Sequence, residues 1–164
     1  RAGCLLATAL IERGAASRKL MFWQPVASGK LHLQQFLRLK VAGGLMQEGG
    51  GTVSTAALLK QLQGGQAIEI AGYELSPALA LGLERAELRP PACGGQVACI
   101  EVSGADAPAL SIPLQKAKEA WRSAGWSFQA SVVHGPAFWQ TQEIEEVPAL
   151  LDATGQAFAS LEAE

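Results

Sequence analysis

Proton-transfer chemistry in this chain would fall to very few side chains. Histidine is the side chain that titrates near neutrality, and only His32 and His134 are present. His134 stands at the end of a strand-like run, where it could take a proton from a bound ligand or serve only as a structural residue. His32 lies among polar residues of a helical stretch and reads as a surface residue. Asp106 follows another strand-like run, and it could orient an imidazole or merely serve its turn. Arg1 stays protonated at working pH and cannot be a nucleophile. Beside a helix start it could hold a carboxylate or phosphate, or it could simply be solvated. Trp23 and Trp139 sit where strands end, which suits the wall of an apolar pocket as well as ordinary packing. Glu143, Glu145 and Glu146 read as the acidic first turn of the last helix, where its dipole favours them.

Other chemistries have no matching pattern. The three cysteines, Cys4, Cys93 and Cys99, are an odd number without metal-ligand spacing. They read as reduced and structural, which suits a cytoplasmic protein. Gly49-Gly50-Gly51 has no Lys-Ser/Thr after it and reads as a linker. With no zinc spacing, phosphate loop or nucleotide fingerprint, neither a metal nor a cofactor is expected.

The elements that must position these side chains follow from periodicity. Residues 2–13 carry Leu5, Leu6, Ala9 and Leu10 at helical spacing, and Gly14 can end that helix. Residues 19–23 form a short apolar run before Pro25, expected as a strand covered on both faces. Ser28 can cap a helix whose stripe is Leu33, Phe36, Leu37, Val41 and Leu45. Residues 52–62 read as a short helix. Ile68, Ile70 and Leu75 flank Ala71-Gly72 as a small hairpin, and Ser76-Pro77 opens another helix. Residues 97–102 and 128–133 are two further strands, separated by a helix over 111–124 through Leu114, Ala117 and Trp121. Glu146-Val147-Pro148 starts a last helix, with Leu150, Leu151, Thr154, Phe158 and Leu161 as its stripe. Strands alternating with helices imply parallel pairing with right-handed crossovers. The stretch 29–93 is too long for a loop and must be a subdomain.

Bulk properties narrow the function classes. The chain has 164 residues, 49% apolar and 17% charged, which allows a buried core and excludes a disordered tail. A formal net charge of −2 gives no nucleic-acid footprint. No apolar run reaches the roughly 20 residues of a membrane span. The chain opens on Arg1 already in helical pattern, with no signal peptide visible, and reads as part of a longer polypeptide.

This element order is similar to the second half of the α/β-hydrolase fold, a parallel sheet flanked by helices with a helical cap insertion. Residues 1–28 and 94–164 would be the partial core, and residues 29–93 the cap over the C-terminal edge of the sheet. Three local runs are more specific. Phe22-Trp23-Gln24-Pro25-Val26-Ala27-Ser28-Gly29 leads into Gln34-Gln35-Phe36-Leu37-Arg38-Leu39. Ala71-Gly72-Tyr73-Glu74-Leu75-Ser76-Pro77 follows. The last is Gly135-Pro136-Ala137-Phe138-Trp139-Gln140-Thr141-Gln142-Glu143-Ile144. Together, over nearly the whole chain, they resemble the exosortase A system-associated hydrolase 2 family. That resemblance implies a Gram-negative bacterial protein acting near exopolysaccharide assembly. Its function would be ester or thioester hydrolysis or acyl transfer. The alternative is a catalytically silent scaffold binding an acyl or lipid-linked intermediate or a partner protein of that pathway.

The resemblance also assigns positions. A hydrolase of this fold places its nucleophile in G-x-S-x-G, an acid after a later strand and a histidine after the last one. Arg1-Ala2-Gly3 would be the end of that pentapeptide, with Arg1 where the serine belongs. Asp106 stands at the acid position. The histidine position falls near Phe138, so either His134 serves from a displaced place or no general base is present. Trp23, Phe138 and Trp139 would border the substrate pocket.

Overall fold

The structure is a computed structural model that describes residues 1–45, 53–140 and 145–163. The glycine run 49–51, Thr52 and Glu143 therefore lie outside the described residues. In chain order the elements are α1 (Gly3–Glu12), β1 (Lys19–Trp23), α2 (Gly29–Leu45), α3 (Thr55–Gln63), β2 (Ile68–Ile70), β3 (Tyr73–Leu75), α4 (Pro77–Arg85), β4 (Gly95–Ser103), α5 (Ile112–Ser123), β5 (Trp126–His134), a 3₁₀ turn (Phe138–Gln140) and α6 (Pro148–Ala163). They fall into two compact units, Arg1–Ala27 with Leu88–Glu164, and Ser28–Glu87.

The first unit is a mixed α/β layer built on one parallel sheet of order β1-β4-β5. The register sets Leu20, Val97 and Phe128 side by side, and likewise Trp23, Ile100 and Ser131. Side chains alternate between faces along a strand, so these rows belong to opposite faces. On the first face Trp121 of α5 is fully buried and meets Phe22, Trp126 and Phe128 edge to face, with centroids 4.8–6.5 Å apart. Its indole N–H donates to the Leu88 carbonyl, and that of Trp126 donates to the Pro91 carbonyl. On the second face Val147 and Leu150 pack against Ile100 and Val102. Helices thus cover both faces, and β4 is buried along most of its length.

Sequence capping logic explains where α5 starts. Ser111 accepts the Leu114 N–H, and Pro113 sits in the first turn. Gly95 opens β4 because nothing larger fits: a Cβ there would lie 2.3 Å from the Arg18 carbonyl oxygen, at φ +148°.

Three expectations about faces are corrected. β1 is not covered on both sides; Leu20 and Phe22 are buried while Lys19 and Trp23 are exposed. It is one of the two edge strands of the sheet among the described residues, and its second face, through Met21 and Trp23, is only partly covered. In α1 the buried face is Cys4, Leu5, Thr8 and Ile11, leaving Leu6 and Leu10 exposed. In α6 the inward face runs through Leu150, Ala153, Ala157 and Leu161, and Leu151 and Phe158 are exposed.

The second unit closes on itself. Ser28 and Glu87 form an antiparallel bridge, the Gly29 N–H donates to the Ala86 carbonyl at 2.8 Å, and the Ser28 hydroxyl donates to the Glu87 carboxylate. Its core is Leu33 and Leu37 of α2, Leu58 and Leu62 of α3, and Ile68, Ile70 and Leu75 of the hairpin β2–β3. Ala71 and Gly72 turn that hairpin with φ +50° and +81°, the two left-handed residues of a type I′ turn. The unit ends at Glu87, and Leu88 and Pro91 are tied to the tryptophans of the first unit.

Candidate functional site

The strand ends of the first unit gather the residues singled out from the sequence. β1 stops at Trp23 because Gln24 takes φ +44°, a left-handed conformation unusual for a residue with a side chain. Two bonds to β4 hold it: its N–H donates to the Ile100 carbonyl, and its side-chain oxygen accepts the Val102 N–H, both at 2.8 Å. Trp23 is fixed in turn by α6, its indole N–H donating to the Thr154 hydroxyl at 2.9 Å.

After β5 the chain must pass close under the start of α6. A Cβ at Gly135 would lie 2.6 Å from a Val147 methyl, so only glycine fits. Pro136 then begins the turn in which the Phe138 N–H donates to the Pro136 carbonyl. Phe138 and Trp139 meet edge to face at 5.2 Å. The Arg1 guanidinium carbon lies 5.0 Å over the Trp139 ring, a cation–π contact. Partial burial lowers the Arg1 pKa, although the group remains a cation at neutral pH.

Two depressions share Trp23. One, of about 270 Å³, is lined by Trp23, Phe138, Val147, Leu150 and Leu151, with Glu145 and Glu146. It is mostly apolar, and its carboxylates are exposed and precede the first turn of α6. The other, of about 290 Å³, is a groove between Arg1, Gly3, Cys4 and Ala7 of the α1 end and Met21, Phe22 and Trp23 of β1.

The side chains expected from the sequence as acid and base are not joined. His134 is exposed, and its Nδ1 lies 3.1 Å from the Ala105 carbonyl oxygen, not at a carboxylate. Asp106, the next residue, is also exposed. His134 thus closes β5 and Asp106 lies in the loop after β4, with no hydrogen bond joining them among the described residues. Trp23 and Phe138 share a pocket, and Trp139 carries Arg1.

One buried carboxylate escaped the sequence reading. Glu101 is only 5% exposed, and its two oxygens accept from the Ser111 N–H at 2.7 Å and the Ser111 hydroxyl at 2.6 Å. It pins the start of α5 to β4. The signal was present: a charge inside the otherwise apolar run Val97-Ala98-Cys99-Ile100-Glu101-Val102.

Among the described residues no group of His, Cys, Asp and Glu could hold a metal ion, and no helix is long and apolar enough to cross a membrane. Comparison with family models, curated proteins and solved structures gives no match to this chain.

Proposed function

We propose that this chain belongs to an α/β-hydrolase-like protein of the exosortase A system-associated hydrolase 2 type, and that its strand-end pocket binds an acyl or lipid-linked group without turning it over through a serine triad. The observation that carries this reading is the apolar depression between Trp23, Phe138, Val147, Leu150 and Leu151. Phe138 stands where the fold's histidine is expected, and Phe cannot transfer a proton. Arg1 stands where the nucleophile is expected, and its charge rests on Trp139. Two departures together fit loss of the triad better than two separate rescues. The natural setting would be the cytoplasm, which suits the free cysteines Cys4, Cys93 and Cys99. Partners would be a protein or acyl intermediate of exopolysaccharide assembly.

The test is binding of a neutral long-chain ester followed by tryptophan emission. Saturable binding is expected, and Leu151→Asp should weaken it tenfold or more, because a carboxylate would be desolvated by the chain. Leu151 is exposed, so the substitution spares the core. Equal binding by both proteins would overturn the reading.

A second reading, acyl hydrolysis or transfer, has one observation in its favour. If His134 donates from Nδ1 to the Ala105 carbonyl, that carbonyl does the orienting work of a triad acid. Nε2 would then be the proton acceptor.

A further inference from the structure

We propose that the pocket at Trp23 and Phe138 selects ligands whose apolar body ends in an ammonium group, and disfavours free carboxylates. This rests on the reading of the pocket as an apolar binding site and adds the charge of what it takes. Three features of the wall act in the same direction. Trp23 and Phe138 bring aromatic rings to the lining, and aromatic faces attract cations through their quadrupole. Glu145 and Glu146 complete the lining, and both are exposed. The α6 N-terminus beside them offsets only about half a unit of their negative charge. No basic side chain is among the lining residues. Arg1 is engaged on the Trp139 ring and lines the other groove. Val147, Leu150 and Leu151 supply the apolar floor on which an alkyl chain would lie. An acyl or lipid-linked ligand would therefore enter with a neutral or cationic end at the carboxylates.

The experiment compares three probes of one chain length, each below its micelle concentration and at low salt: dodecyltrimethylammonium, dodecanol and dodecanoate. Tryptophan emission of the whole chain is titrated with each. The ammonium should bind at least tenfold more tightly than the carboxylate, with the alcohol between them. In the Glu145→Gln, Glu146→Gln double variant the ammonium–carboxylate ratio should fall to about threefold or less. Alcohol binding together with carboxylate binding as tight as ammonium would overturn the charge selectivity and leave the apolar site standing. An unchanged ratio in the double variant would also overturn it. Failure of all three probes to bind would remove the site itself, and the selectivity with it.

Discussion

At the scale of single residues, burial decides which groups can react. Burial pushes the Cys99 thiol up, with Cys4 and Glu101 adding to the effect, and burial also raises Cys4. Cys93 is exposed. A disulfide-exchange reagent at pH 8 should therefore label one thiol in the native chain and three after unfolding; rapid native labelling of all three would contradict the buried cluster. The same shifts set a pH dependence. Folded thiols with raised pKa keep protons that unfolded thiols release, so stability falls as pH rises past the ordinary thiol value near 9. Glu101 offers a second test. Glu101→Ala strands two donors of the half-buried Ser111 and should cost about 2 kcal/mol in urea unfolding. Ser111→Ala, which loses the cap and one bond, should cost about 1 kcal/mol. A smaller loss for Glu101→Ala than for Ser111→Ala would show that the carboxylate does not pin α5.

At the scale of elements, the positions of strands and helices were legible, and the faces of two helices and one strand were not. Ser76-Pro77, Ala71-Gly72 and the stripe Leu114, Ala117, Trp121 carry strong local chemistry, and the structure follows them. α1 and α6 are apolar over much of their circumference, so periodicity alone cannot say whether Leu6 or Cys4, Leu151 or Ala153, turns inward. β1 looked doubly covered because Leu20, Met21, Phe22 and Trp23 are all apolar; its place at the side of the sheet is a tertiary fact. At the site, Trp23, Phe138 and Trp139 could be picked out by position. The contribution of Glu145 and Glu146 to the pocket could not, since the same residues also suit a helix dipole. The β1–β4 junction allows a direct test. Gly95→Ala places a methyl against the Arg18 carbonyl at a φ that disfavours side chains, and should cost about 3 kcal/mol or more. A loss below about 1 kcal/mol in thermal or urea unfolding would mean that β1 and β4 do not meet there as described.

At the scale of the molecule, the sheet leaves one side of β1 without a neighbouring strand among the described residues. Leu6 and Leu10 of α1 and Leu151 and Phe158 of α6 are exposed. An unpaired strand edge with apolar surroundings is a template for association. Residues 1–164 on their own should therefore self-associate as concentration rises, seen by light scattering. A sharp cooperative unfolding transition from a stable monomer would count against this. The same unit is proposed to hold the binding pocket without a working triad. That proposal is tested most directly by turnover of a panel of acyl esters and thioesters, wild type against His134→Ala, with binding of each substrate measured in parallel. Binding by both proteins and equal, near-background hydrolysis are expected. Strong turnover by the wild type that collapses by orders of magnitude in His134→Ala would contradict the proposal.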